Sequence, residues 1–281
     1  MLENPAPQAA ATARTLALFD GQLHLQLLPA APYSAADPVA RPTLGVALQR
    51  QRGVHAIGSD RRRDFDTWPG VLAYTPAGVD VFSESPGGGE YLLARWDTRL
   101  DGELKGRLNP AGAARRLEAA GHGAALALGL RLRRLLLQAR PDGLALEQGA
   151  LDFIGLRAPW PDAPAHAPRQ PRQPCARALE KIADEFDRPL TLAQLAACEG
   201  MSALALLRAF SAATGMTPHA FIVEARLQAA RRMLARGGWP LAEIALACGF
   251  SHQSHLGSAM RAALGLTPGQ YRRLYGTKDE A

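Results

Sequence analysis

At 281 residues the chain is too long for a minidomain and suits two domains; with 47% hydrophobic and 21% charged residues it can bury a core and is not disordered overall. Lys and Arg number 32 against 26 Asp and Glu. The surplus is unevenly placed: residues 1–168 carry 18 basic and 17 acidic side chains, whereas residues 169–281 carry 14 and 9, a net of +5 in the last two-fifths, where a polyanionic partner is to be sought.

Three widely spaced cysteines, Cys175, Cys198 and Cys248, exclude a disulfide framework and a CxxC metal site. At the N-terminus no basic segment leads into an apolar core, so no signal peptide is expected. The richest apolar run, Ala124–Leu137, is interrupted by Arg131, Arg133 and Arg134, which argues against a membrane span and for a cytoplasmic protein with no membrane partner.

From Leu16 to Asp97 the chain alternates in short runs: Leu23, Leu25 and Leu27 against His24 and Gln26, then Leu44, Val46 and Leu48, then Val79 and Val81, then Tyr91 and Leu93. Turn words separate them at Asp20-Gly21, Gln51-Arg52-Gly53, Trp68-Pro69-Gly70, Thr75-Pro76-Ala77-Gly78 and Ser85-Pro86-Gly87-Gly88-Gly89. Period-two patterning with regular punctuation predicts an all-β sandwich or barrel over residues 12–108. Residues 109–158 change to a helical texture. There Ala125, Leu128, Leu132, Leu135 and Leu136 share one face, Leu126, Leu130 and Leu137 lie nearly opposite, and Arg131, Arg134 and Gln138 mark the wet stripe. A helix apolar on two sides needs two partners. Either it packs on its own barrel and on a second subunit, making this a dimerisation segment, or it is buried within one subunit. Residues 159–174 hold six prolines in 16 residues and predict an extended linker, because proline lacks the N–H and fixes φ.

The region 175–276 contains an internal duplication. Leu192–Ser202 (LAQLAACEGMS) matches Leu241–Ser251 (LAEIALACGFS), and Gly215-Met216-Thr217-Pro218 matches Gly265-Leu266-Thr267-Pro268. Thr191 with Gln194 and Thr267 with Gln270 read as capping boxes, and Pro218 and Pro268 as first helical residues. Gly200 and Gly249 read as left-handed turn residues, and Ser202 and Ser251 as caps of the helices that follow. The unit is a helix-turn-helix written twice. The continuous helical pattern Pro218–Arg236 joins the copies, and its 19 residues span about 28 Å at 1.5 Å each. Successive major grooves on one face of B-DNA lie about 34 Å apart, so a rod of this length can hold two reading helices at roughly one-turn separation. Double-stranded DNA is the partner this spacing suits.

Several motifs in this region resemble the DNA-binding domain of AraC/XylS-type transcription regulators. They are Gly215–Pro218, Arg226–Arg231, Leu241–Ala245 through Cys248–Ser251, Gln253–His255 and Gly265–Arg272. The resemblance implies a sequence-specific DNA-binding regulator with a sensor domain, usually an activator that touches RNA polymerase. It places Leu204, Leu207 and Arg208 of the first unit, and Gln253, Ser254, Gly257, Ser258 and Arg261 of the second, on the outward face of the reading helices. Arg208 suits a guanine edge, a phosphate or a solvated surface, and Gln253 suits adenine, whereas Leu204 and Leu207 offer only apolar contact to a thymine methyl. His255 is expected to pack or cap. Cys198 and Cys248 are expected to be small buried hydrophobes. Arg231, Arg232, Arg272 and Arg273 suit either phosphates or solvated helix ends.

Pro69–Asp80 resembles the second cupin motif of the family's sensor barrels. Asp80 stands where a metal-binding cupin has histidine, and upstream His55 has no His-x-His partner, so no metal, no cofactor and no enzyme activity are expected. Tyr74, Phe82, Arg95 and Trp96 are candidates to line a cavity for an unknown small-molecule effector. The expected architecture is α+β: a cupin-like barrel, a helical hairpin that makes a homodimer, a linker, and an all-α domain with two helix-turn-helix motifs. The rival readings are a cupin-type enzyme fused to a DNA-binding domain, and a constitutive DNA-binding protein whose barrel only dimerises.

Overall fold

The computed structural model of the protein describes residues 13–97, 99–100, 113–156 and 175–276. Those up to Glu118 form one compact unit, and those from Ala119 onward form a second. The proline-rich stretch 159–174 lies outside the described residues.

The first unit is built from antiparallel strands. These are β1 (Arg14–Leu18), β2 (Leu23–Leu28), β3 (Tyr33–Pro38), β4 (Thr43–Ala47), β5 (Gln51–Ile57), β6 (Arg63–Thr67), β7 (Leu72–Thr75), β8 (Asp80–Ser85), β9 (Tyr91–Trp96) and the short β10 (Leu117–Ala119). They assemble into a six-stranded sheet, β1-β2-β9-β4-β7-β10, and a four-stranded sheet, β3-β8-β5-β6. Among the described residues the hydrogen-bonding leaves two separate sheets, so of the sandwich or barrel that the alternation allows, the closed barrel implied by the cupin resemblance is not what the backbone pairing forms.

On β2 the alternation reads as anticipated, with Leu23, Leu25 and Leu27 buried between half-buried His24 and Gln26. Strand β4 is buried along its whole length, as expected of a strand covered on both faces. Gln51-Arg52-Gly53 is not a turn: it opens β5. Gly53 is there for proximity, since a Cβ would collide with the Glu84 carbonyl of the neighbouring strand.

The second unit is helical. A hairpin of α1 (Gly123–Leu136) and α2 (Gly143–Ile154) comes first, and it follows a strand, β10, where a helical texture was expected throughout. Leu132 of α1 packs onto Gly149 of α2. Next come α3 (Ala176–Glu185), α4 (Leu192–Glu199), α5 (Ala203–Thr214), α6 (Pro218–Arg236), α7 (Leu241–Ala247), α8 (Gln253–Leu264) and α9 (Pro268–Tyr275). Arg131 and Arg134 of α1 are exposed, as the wet stripe requires. Arg133, in the same apolar run, is 1% exposed. Part of α1 finds its partner inside this subunit, against α5 and α8.

The predicted α6 rod has the observed bounds, Pro218–Arg236, with Pro218 in its first turn. Phe221, Ile222, Leu227, Ala230 and Leu234 are buried along it. Among the described residues no single helix is long and apolar enough to cross a membrane.

Candidate nucleic-acid interface

Each helix-turn-helix unit is fixed by local chemistry that its sequence dictates. Thr191 caps α4 through the Gln194 N–H, and Gln194 returns a bond to the Thr191 N–H, a reciprocal capping box repeated at Thr267 and Gln270 on α9. Gly200, at φ 65°, supplies the left-handed step after α4, and α5 then leaves at 84° to it. Ser202 caps α5 by accepting the Ala205 N–H at 3.2 Å. The second unit repeats this frame with two changes: Pro240 stands at the start of α7 with no side-chain cap, and the cap of the next helix moves. Gly249 takes φ 78°, but the cap of α8 is His252, whose Nδ1 accepts the His255 N–H, and not Ser251. The Ser251 hydroxyl instead pairs with His255 Nδ1 at 3.1 Å. His255 stands edge-on to Phe250 at 5.2 Å, so it packs, as expected. The apolar anchors are equivalent across the repeat: Leu195 with Ile244, Leu206 with Leu256, and Phe210 with Met260, all essentially without exposure.

The outward rows differ between the copies. On α5, Leu204 is 56% exposed, Met201 just before the helix is also exposed, Leu207 is half-buried and Arg208 is exposed. On α8, Gln253, Ser254, Ser258 and Arg261 are exposed. Gly257 does not belong to that row. It is buried, and a Cβ there would lie 4.0 Å from Pro268 Cδ, an ordinary contact, so the position has room for an alanine. Met201 is the residue sequence reasoning passed over; its place between the turn glycine Gly200 and the cap Ser202 was the available signal.

The arginines behind these rows have structural duties. Arg226 donates from Nε to the Phe186 carbonyl at 2.7 Å and from its terminal nitrogen to the Arg188 carbonyl, tying the segment after α3 to α6; burial holds its pKa below the usual arginine value. Arg231 donates to the Tyr271 hydroxyl and lies over that ring. Arg272 donates to the Trp239 carbonyl at 2.6 Å. Arg232 and Arg273 remain exposed. Cys248 is buried, and that burial pushes its thiol up to about 11. Cys198 is half-buried, not fully buried as expected, and its thiol donates to the Gln194 carbonyl.

In the first unit the four effector candidates do not meet. Tyr74 on β7 and Trp96 on β9 are buried neighbours, with ring centroids 6.3 Å apart. Phe82 belongs to the other sheet, where the Arg62 guanidinium sits 4.3 Å over its ring. Arg95 is exposed and donates to Gln26. Tyr74 pairs with Leu44, which pairs with Ala94, so Tyr74 shares one sheet face with Ala94 and Trp96; Tyr91 alternates to the opposite face.

On that opposite face sequence reasoning missed a polar cluster. Arg116 bonds Glu118 at 2.8 Å and the Thr75 hydroxyl at 3.2 Å, and Tyr91 lies flat over Gly45. From the four-stranded sheet come Tyr33, bonded to Gln51 and to Ser83, and His55, stacked on Phe65 at 5.2 Å. Burial raises the Tyr91 hydroxyl to about 12 and lowers the His55 imidazole. Burial also works to raise the Glu118 carboxyl, but the Arg116 guanidinium outweighs it and holds the group below the ordinary range. The residues come from β3, β5, β7, β8, β9 and the segment at β10, far apart in sequence, which is why no local motif announced them.

Residues 195–274 match the helix-turn-helix domain family. The chain is 32% identical over 100 residues to the HTH-type transcriptional regulator MtrA of Neisseria gonorrhoeae, a stretch covering 36% of this chain and 33% of that protein. It is 35% identical over 83 residues to an AraC-like transcription regulator of Streptomyces antibioticus, covering 30% and 27%. The chain therefore spans well under half the length of the curated relatives it matches. A solved transcriptional regulator with an AraC-type DNA-binding domain, from Chromobacterium violaceum, is 29% identical and covers 37% of this chain and 93% of its own, with a TM-score of 0.35. The C-terminal region of this chain is a helix-turn-helix DNA-binding domain of the AraC type.

Proposed function

We propose that the whole chain is a sequence-specific transcription regulator, not an enzyme, and that each subunit lays α5 and α8 in adjacent major grooves of a DNA duplex. The observation that carries this reading is the repeated frame itself: two capped, glycine-turned units with equivalent buried anchors, held on one 19-residue helix. In this reading Arg208, Gln253, Ser254, Ser258 and Arg261 meet base edges or phosphates. Met201, Leu204 and Leu207 give the first unit an apolar surface suited to thymine methyl groups, the one apolar feature of the major-groove edge. RNA polymerase is the further partner, and the protein acts as a homodimer.

For the first unit we read a cupin-like sensor over residues 12–108, followed by a helical segment (109–158), a linker (159–174) and the DNA-binding domain (175–276). The effector is a small polar molecule held between the sheets by the Arg116–Glu118 pair, Tyr33, Tyr91 and His55. Paired charges and hydroxyls lining one face recognise hydroxyl or carboxylate groups better than apolar ones.

The test is selection of duplexes from a random pool by the full chain, followed by replacement of thymine with uracil in the recovered sites. Two separate blocks of required sequence are expected for each subunit, about one helical turn apart. Uracil is expected to weaken binding in the block read by α5 and to leave the other block unchanged. Recovery of a single block, or of none, would refute the reading. For the sensor, a small-molecule screen by thermal shift is expected to yield compounds that raise the melting point of the parent chain but not of Arg116→Ala.

A further inference from the structure

Helix α1 lies outside the stretch that matches the helix-turn-helix family, yet it touches both units at repeat-equivalent points. Gly123, at its N-terminal end, rests on Gly215, the left-handed residue that closes α5; a Cβ on either glycine would collide with the backbone of the other. Just past its C-terminal end, Gln138 packs at the Gly265 turn that closes α8, with its side chain 3.9 Å from where a Cβ would stand. Between these ends the Arg133 guanidinium grips both carboxylate oxygens of Glu224 on α6, at 2.5 and 3.0 Å. Both side chains are nearly or fully buried, at 1% and 9% exposure, and Gln228 adds a bond to Glu224. Gly123 to Gln138 spans about 22 Å at 1.5 Å per residue.

These contacts divide the labour along the helix. Its two ends meet the turns that terminate the two outward helices, and its middle is locked to the rod that joins them. An apolar contact tolerates sliding and rolling. A bidentate, buried guanidinium–carboxylate pair admits one register, because a shift leaves charge unpaired in a dry site. At the N-terminal end, glycine on both elements lets backbone meet backbone, the closest and least compliant approach two elements can make, whereas at the other end a side chain, Gln138, makes the contact.

We propose that α1 is a strut of the DNA-reading unit, fixing the separation and orientation of α5 against α8, with Arg133 and Glu224 as its positioning residues. The mechanical part stands on the contacts alone. Its consequence, that the strut sets which half-site spacing the protein accepts, rests on the function proposed above.

The test uses the full chain with Cys198→Ser, carrying nitroxide labels at Ala205→Cys on α5 and Ala262→Cys on α8, both exposed positions. Electron–electron dipolar spectroscopy is expected to give one narrow distance. Gly123→Val and Arg133→Met are each expected to broaden or shift it, while circular dichroism shows both units still helical. Gly123→Ala is the milder variant should valine prevent folding, and Arg133→Lys, which keeps one charge on Glu224, is expected to restore part of the narrow population. On duplexes selected by the parent chain, one inserted base pair between the blocks is expected to cost the parent about a hundredfold in affinity, by forbidding simultaneous engagement. The strut variants are expected to lose much less of their own affinity. An unchanged distance distribution in both Gly123 and Arg133 variants overturns the strut. A parent chain that binds no duplex, with the distance result as expected, overturns the proposed function and leaves the strut standing.

Discussion

The two helix-turn-helix units share a frame and differ in what they show to the outside. Both turn on a left-handed glycine, both end their outward helix on Gly-x-Thr-Pro, and both bury a large residue at the same step, Phe210 in one and Met260 in the other. The outward row of the first is apolar save for Arg208, whereas that of the second is polar throughout. Positions that hold the helices together keep their character between the copies, and positions that face outward do not. The frame is thus a means of presenting side chains, and the presented set is free to differ.

That contrast can be broken from the inside. Arg133→Met leaves Glu224 buried without its main partner and is expected to destabilise the helical unit by about 3–5 kcal/mol, measured by urea unfolding. Joint replacement of both residues by methionine should recover most of the loss. Phe210→Ala and Met260→Ala, at matching steps of the repeat, are expected to cost about 2–5 kcal/mol each, with the phenylalanine larger. A cost confined to one copy would mean that the two frames do not carry equivalent cores.

The contrast can be sharpened from the outside. Arg208→Ala is expected to weaken binding to selected duplexes by about 1–3 kcal/mol and to relax the requirement at one base pair if it reads a base. A uniform loss across all duplexes would assign it to a phosphate instead. Ser202→Ala and His252→Ala remove the differing caps of the two outward helices and should cost about 0.5–2 kcal/mol each. His255, bonded to Ser251, remains in the second unit to hold the turn, so the serine is expected to be the costlier loss.

The smallest effect concerns the sheet unit. Burial lowers the His55 imidazole below its ordinary value of 6.5, so the unfolded chain takes up its proton first as pH falls. Stability from neutral His55 is therefore present above about pH 6.5 and lost progressively below it. The sheet unit should melt lower at pH 5 than at pH 7.5, and His55→Gln should reduce that difference.

Legibility in the sequence followed the range of the interactions. Capping boxes, N1 prolines and turn glycines act within four residues, and at Thr191, Thr267, Pro218, Pro268, Gly200 and Gly249 the structure agrees with the pattern. The cap of α8 was misplaced by one residue because serine and histidine both offer an acceptor there, and the backbone chose His252. The β3, β5 and β6 strands left no clean alternation: Gly53 reads as a turn until the neighbouring strand that needs its missing side chain is known. The polar face around Arg116 and the Arg133–Glu224 pair join residues 41 and 91 positions apart, which no window of sequence spans. The resemblance places Gly257 in the outward row, whereas in the structure it is buried beside Pro268, a contact 11 positions away in sequence.

Hydroxyl-radical footprinting of the full chain on a selected duplex addresses the two-groove reading most directly. Two protected patches per subunit are expected on one face of the helix, about 10 base pairs apart, with Arg208→Ala weakening only one of each pair. A single patch, or two patches on opposite faces of the duplex, would contradict it.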